Sequence, residues 1–457
     1  MSNDKKKASF GSRFGYIMVA AGAAIGLGNI WKFPYLAYGG GGGAFVVVYI
    51  ILCLVLGHPV VEMETAIGRY AKTNCIDAYG VINKKWKFVG VVNVICTLLI
   101  DMYYIIVSGY VLKYAIQFLI SGNFGSDSLT YYTNFISDPI EPLIYAGVLM
   151  IVTVVLLSFG ITELVEKVTK VIMPLLFVLL VGCGIWALFI SEGAIDGLKF
   201  YLIPNWKEFT WKACADACMQ VMFSVGIGWA IFSTLGASVS DESNIRKDSM
   251  WVTVCDTTVA LTAGFVIIPS VVGSGSEMTA GPSLIFLAMT DIFGKFPGGR
   301  IIGFFFFTAL IFAVLSTYFT ILEIPVKCLE EKCRISHRKA TVITSAFIFI
   351  GGIFCSLSQG NGLLSHVKLP WWAFGSGVSY YNIYDWIDCF SGYVLLPLGC
   401  LLTTLYCCRI WGYKEYEKEL TKNGRDGILS KYDKIVMTFV VPILTLIVIL
   451  NCFGFIK

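Results

Sequence analysis

Long apolar runs recur along the chain, each about one bilayer in length and separated by short polar stretches. Taking roughly 20 apolar residues as one helical crossing, the pattern predicts eleven segments, at residues 12–37, 44–68, 88–120, 141–158, 165–190, 213–239, 249–272, 298–328, 340–358, 382–408 and 435–455. Only a helix satisfies its backbone hydrogen bonds within one such run, so the expected fold is an all-α polytopic membrane protein with 11 transmembrane helices. The basic residues are concentrated in alternate connections. With the N-terminus in the cytoplasm, the inner stretches are Lys5 to Lys7 with Arg13, Arg69 to Lys87, Lys167 with Lys170, Arg246 with Lys247, Lys327 to Lys339, and Arg409 to Lys434. Together they collect about 25 of the 34 Lys and Arg, against about nine in the opposite orientation. The topology expected is therefore N-terminus cytoplasmic and, from the odd count, C-terminus outside. The outer connection 121–140 carries no Lys or Arg, in agreement.

Two of the eleven segments are interrupted. Segment 1 contains AAGAAIGLGNIWKFP (residues 20–34) and segment 6 contains QVMFSVGIGWAIF (residues 220–232). Each places glycines in mid-crossing, where Gly costs about 1 kcal/mol against Ala in a helix. Close helix packing through the pair Gly22 and Gly26 explains the glycines alone. It leaves unexplained Asn29 beside Gly28 and Ser224 just before Gly226, because polar groups at bilayer depth are expensive without partners. The reading adopted is that both helices unwind there and expose carbonyls and amides to an ion or a substrate. The breaks lie five helices apart, and a five-helix unit repeated once re-enters the membrane from the opposite side. Segments 1–5 and 6–10 therefore read as two inverted repeats with a site at their interface. Half-helix N-termini favour an anion and free carbonyls a cation, which together suit a carboxylate-bearing substrate accompanied by a sodium-like ion.

Composition narrows the function further. Of the 457 residues, 57% are hydrophobic and 14% charged, which excludes an ordinary soluble enzyme. The net charge of +4 is small and scattered, so nucleic acid is not an expected partner. The 15 Cys lie mostly inside apolar runs and predict no structural disulfides, and three widely separated His (His58, His337 and His366) predict no zinc or di-iron centre. The glycine run 39–43 lacks the following Lys-Ser/Thr of a phosphate loop and reads as a close-packed outer turn. Residues 1–11 read as a cytoplasmic tail.

The motifs GSRFGYI (11–17), AIGLGNIWKFPY (24–35), GGGAF (41–45), ETAIGRY (64–70), YYIIVSGY (103–110) and LSTYFTILEIP (315–325) closely resemble the neurotransmitter:sodium symporter family, in its bacterial amino-acid branch with the LeuT fold. The resemblance implies two sodium sites. The first would use the Ala24 carbonyl, the Asn29 amide, Ser224, Asp256 and the substrate carboxylate. The second would use the carbonyls of Gly22, Ile25 and Ala313 with the hydroxyls of Ser316 and Thr317. The implied substrate pocket is lined by Ala23, Gly26, Leu27, Gly28, Ile100, Tyr104, Phe223, Ser224, Gly226, Gly228, Trp229 and Ile321, with Tyr104 bonding the carboxylate. Amine-transporting relatives have an Asp at the place of Gly26, so Gly26 argues for an α-amino acid.

Asp256 stands where Asn is commoner in the family, and Ala260 stands where several bacterial relatives have a Glu. Asp256 is therefore expected to supply the fixed charge that chloride supplies in animal members, which makes transport chloride-independent. Asp101, the next residue after Ile100, is expected to pack or hydrogen-bond rather than bind an amine. The implied gates are Lys32 with Asp388 outside and Lys7 with Glu331 inside, with Phe10 where Trp is common. Glu64 is expected to buttress the site through hydrogen bonds, and Pro174 to kink segment 5.

The function expected is sodium-coupled import of an amino acid, hydrophobic or aromatic, by alternating access across a plasma (inner) membrane. A monomer would suffice, no organic cofactor is implied, and the chain is not expected to be an enzyme. Carriers of Gly or Ala, carriers of amines, and a transport-inactive sensor on the same fold remain alternatives. The organisation expected is a first repeat at 12–190, a second at 191–410, a cytoplasmic loop at 411–434 and an eleventh helix at 435–457.

Overall fold

In a computed structural model, residues 10–125, 127–158, 166–190, 193–274, 283–295, 297–372, 377–422 and 429–455 are described. Among these described residues, eight helices are long and apolar enough to cross a membrane: Gly43–Ala71, Lys84–Ile120, Glu166–Trp186, Ile245–Gly273, Gly299–Cys333, His337–Leu357, Ile383–Leu420 and Lys431–Cys452. Two bent pairs, Arg13–Ala24 with Leu27–Gly39 (65°) and Ser128–Ser137 with Glu141–Leu157 (74°), raise the number to 10. The expected count of eleven exceeds this by segment 6. That segment is divided into Trp211–Val225 and Ile231–Gly236, neither long enough to cross alone.

Segments 3 and 8 lie against each other, and the first half of segment 1 packs on segments 5, 7 and 8. The two halves of segment 6 pack along the two halves of segment 2. The interrupted elements are thus enclosed by continuous ones, where freed backbone groups meet protein rather than lipid. The outward faces remain apolar, as with Ile151, Val171, Val178, Phe347, Phe439 and Ile443, all more than half exposed.

Several connections carry structure that the apolar pattern does not reveal. The stretch 121–140 contains the helix Ser128–Ser137. A second helix, Ala194–Leu202, precedes segment 6, and a two-stranded antiparallel hairpin pairs Leu369–Trp372 with Val378–Tyr381. The glycine run is a tight turn with positive φ at Gly41 and Gly42, and Gly42 bridges to Pro204. Segment 10 continues as helix to Leu420, so the loop expected at 411–434 is shorter at its start, and the last helix begins at Lys431 rather than at 435. Segment 5 runs as one helix, Glu166–Ile190, through Pro174.

Candidate functional site

Segment 1 leaves the helix at Ile25 (ψ 91), and Gly26 is extended, with φ −119 and ψ −171. The Gly26 amide, which would continue the helical ladder, instead donates to Asn29 Oδ1 at 3.1 Å. Segment 6 breaks at Gly226 (φ 82), Gly228 (φ 87) and Ala230 (φ 67), three left-handed residues in five. A β-carbon at Gly228 would lie 2.4 Å from the Leu396 carbonyl oxygen, so both the backbone conformation and the available space require glycine there. The freed Gly228 amide donates to Glu64 Oε1 at 2.7 Å, and the Trp229 carbonyl accepts from Thr97 Oγ1 at 2.7 Å. Gln220 Nε2 donates to the Gly28 carbonyl at 3.2 Å and so links the two breaks.

Around these breaks lie two groups of polar atoms. In the first, Asn29 Nδ2 donates to Asp256 Oδ1 at 2.6 Å and to Ser224 Oγ at 2.8 Å. Ser224 Oγ in turn donates to Asp256 Oδ2 at 2.9 Å and accepts from the Tyr49 hydroxyl at 3.0 Å. Asn29 and Asp256 are fully buried and Ser224 nearly so. In the second group, Thr317 Oγ1 lies 3.2, 2.9 and 3.1 Å from the carbonyl oxygens of Gly22, Ile25 and Ala313. Ser316 Oγ shares the Ala313 carbonyl at 2.9 Å. Five oxygens from segments 1 and 8 thus converge without a formal charge, a donor set that fits a hard monovalent cation. No cluster of three or more His, Cys, Asp or Glu exists among the described residues.

At the segment 1 break sits Tyr104, whose hydroxyl accepts from the Leu27 amide at 3.4 Å and whose ring stacks on Tyr318 at 6.1 Å. A β-carbon at Gly26 would lie 3.3 Å from the Tyr104 hydroxyl and 3.2 Å from Thr317 Oγ1, so any side chain there would intrude on both. Phe223 packs against Gly28 and stacks on Trp229 at 6.0 Å. Ala23, Ile100 and Ile321 are fully buried, and the Ala24 α-carbon lies 3.8 Å from where a β-carbon at Gly226 would stand.

Lys32 Nζ lies 3.7 Å from Asp388 Oδ2 and 4.6 Å from the Phe223 ring centroid. Lys7 lies outside the described residues. Glu331 accepts from Thr73 Oγ1 at 2.8 Å and from Asn74 Nδ2 at 2.6 Å, both on the connection after segment 2. The start of segment 1 is fastened elsewhere. Arg13 Nε lies 2.6 Å from Asp248 Oδ1 on segment 7, and Glu166 on segment 5 accepts from the Gly11 amide at 3.0 Å and from Ser12 Oγ at 3.3 Å. Phe10 meets Tyr16 edge-on at 5.3 Å. Sequence reasoning missed Tyr49, Thr97, Gln220, Arg13, Glu166 and Asp248. Only Gln220, an amide in mid-crossing, carried a signal that could have found it.

The family model described as "Sodium:neurotransmitter symporter family" matches residues 7–126 and 141–456. An uncharacterized sodium-dependent transporter of Haemophilus influenzae (strain Rd) is 32% identical over 98% of this chain and 99% of its own length. The uncharacterized sodium-dependent transporter YhdH of Bacillus subtilis (strain 168) is 30% identical over 99% of each. Among solved structures, MhsT in complex with L-phenylalanine is similar at a TM-score of 0.88 and 31% identity, covering 98% of this chain and 100% of that one.

Proposed function

The chain belongs to the sodium:neurotransmitter symporter family, a sodium-dependent transporter with the LeuT fold and not an enzyme, and from that premise we propose that it imports a hydrophobic or aromatic amino acid without needing chloride. The observation that carries this reading is the pair of facing breaks, at Ile25–Gly26 and at Gly226–Ala230, with the Tyr104 hydroxyl at the Leu27 amide of the first. Freed amides and a phenol suit a carboxylate, and a side chain at Gly26 would crowd the Tyr104 hydroxyl and Thr317 Oγ1. Burial among Ile100, Ile321, Phe223 and Trp229 suits an apolar or aromatic side chain. MhsT, with its bound phenylalanine, supports the same class.

Sodium is a co-transported substrate in this scheme. One ion takes the Ala24 carbonyl, Asn29, Ser224, Asp256 and the amino-acid carboxylate. The other takes the oxygens of Gly22, Ile25, Ala313, Ser316 and Thr317. Asp256 gives the first site its negative charge, in the role chloride takes elsewhere. Segments 1–5 (12–190) and 6–10 (191–410) act as inverted repeats in a plasma membrane, with the N-terminus cytoplasmic, the C-terminus outside and one monomer sufficient.

Because the carboxylate completes an ion's shell, each ligand tightens the other by the same factor. The test is uptake into proteoliposomes under an inward sodium gradient, with all twenty amino acids as competitors and with chloride replaced by gluconate. Hydrophobic and aromatic amino acids should compete, and uptake should persist in gluconate. Competition by Gly and Ala alone would overturn the substrate class, and loss of uptake in gluconate would overturn the role of Asp256.

A further inference from the structure

Asp101 is fully buried in segment 3, and neither of its carboxylate oxygens has a hydrogen-bond partner among the described residues. Its two flanking turns show which way it faces. Thr97, four residues before it, donates to the Trp229 carbonyl in the segment 6 break at 2.7 Å, and Tyr104, three residues after it, accepts from the Leu27 amide in the segment 1 break. At about 100° per residue, Ile100, Tyr104, Thr97 and Asp101 fall within one arc of about 100°, in that order around the helix. Asp101 and Ile100 are therefore the two edges of the face turned toward both breaks. The hydrogen-bonded role expected for Asp101 finds no partner among the described residues.

A carboxylate held at bilayer depth without a partner is expensive, and such residues mark binding sites and pathways. At the segment 6 break, Trp229 Nε1 also has no partner among the described residues. Two pairs of flat rings stack nearby, Tyr104 on Tyr318 at 6.1 Å beside Asp101 and Phe223 on Trp229 at 6.0 Å with 19° between planes at the segment 6 break. Flat walls and an unspent acceptor call for a planar guest with a donor at its rim.

We propose that Asp101 is a specificity-determining residue that accepts a hydrogen bond from the ring N–H or O–H of an aromatic amino acid, so that tryptophan or tyrosine is taken in preference to phenylalanine. This rests on the reading above that the cargo is an aromatic amino acid. A site built around a donor on the substrate rejects the analogue without it more strongly than an apolar pocket discriminates by size, because the buried acceptor is then left unpaired.

The experiment is competition against sodium-driven uptake of labelled phenylalanine in proteoliposomes, with unlabelled L-tryptophan, L-tyrosine, L-phenylalanine and L-lysine. In the wild type, tryptophan or tyrosine should inhibit at a concentration at least tenfold lower than phenylalanine. Asp101→Ala should erase that ratio while phenylalanine uptake persists, and Asp101→Asn, which keeps an acceptor oxygen, should retain part of it. Equal inhibition by the three aromatics in the wild type overturns the proposal without any variant. So does a ratio that survives Asp101→Ala, a uniform loss of all three in both variants, or stronger inhibition by lysine. If no amino acid is taken up in a sodium-dependent way, the reading beneath it has failed instead.

Discussion

At the scale of single residues, the most specific consequence concerns Thr317. Its hydroxyl alone lies within 3.2 Å of the three carbonyls of Gly22, Ile25 and Ala313. Thr317→Val keeps the shape and removes that oxygen, leaving the carbonyls one partner short, a loss of about 1–3 kcal/mol. The sodium concentration giving half-maximal uptake should rise roughly tenfold, with the substrate KM at saturating sodium little changed. An unaltered sodium dependence would remove Thr317 from the ion path. Asn29, Ser224 and Asp256 stood out in the sequence because an amide, a hydroxyl and a carboxylate within apolar runs demand partners, and here they bond one another. Tyr49 and Thr97 gave no such signal. A phenol or a threonine in a crossing is commonly satisfied by its own helix, and Thr97 does also bond Asn93 O at 2.9 Å.

At the scale of elements, a glycine at the segment 6 break and one in segment 10 differ in what they tolerate. Gly228 has φ 87 and a carbonyl oxygen 2.4 Å from where a β-carbon would stand, whereas a β-carbon at Gly392 would meet only Lys32 Nζ at 3.9 Å. Gly228→Ala should therefore cost more than the roughly 1–2 kcal/mol of a left-handed alanine, lower the detergent-solubilised Tm by several degrees and reduce uptake. Gly392→Ala should leave both nearly unchanged. Equal melting temperatures for the two variants would contradict a break locked by backbone shape. Both breaks were legible because glycine and polar residues interrupt an otherwise apolar period. The helices Ser128–Ser137 and Ala194–Leu202 and the hairpin at 369–381 were not, since short amphipathic pieces in connections leave no run long enough to count. Segment 6 fails the length criterion for the same reason that makes it functional, since its interruption divides it into pieces of 15 and 6 residues.

At the scale of the whole molecule, the first half of segment 1 is fastened at one end of the bundle and the second half at the other, on either side of the break. Arg13 with Asp248 and Glu166 with Gly11 and Ser12 hold the first; Lys32 with Asp388 holds the second. The fastening through Arg13 could not be read from the sequence, because its partner lies 235 positions away and many charged residues compete for it. Arg13 is half exposed and Asp248 almost wholly buried, so the pair joins the start of segment 1 to the interior end of segment 7. Arg13→Ala should therefore favour the form open at the N-terminal end, by roughly tenfold in population. Substrate binds best when both ends are closed, so the apparent affinity in sodium should fall by a similar factor, and restoring charge with Arg13→Lys should recover part of it. Lys32→Ala should also weaken binding, by releasing the opposite end, and a thiol reagent applied from one side of the membrane distinguishes the two variants. If Arg13→Ala and Lys32→Ala expose the same face, the two fastenings are not opposing gates, and the Ile25–Gly26 break is not the hinge between them.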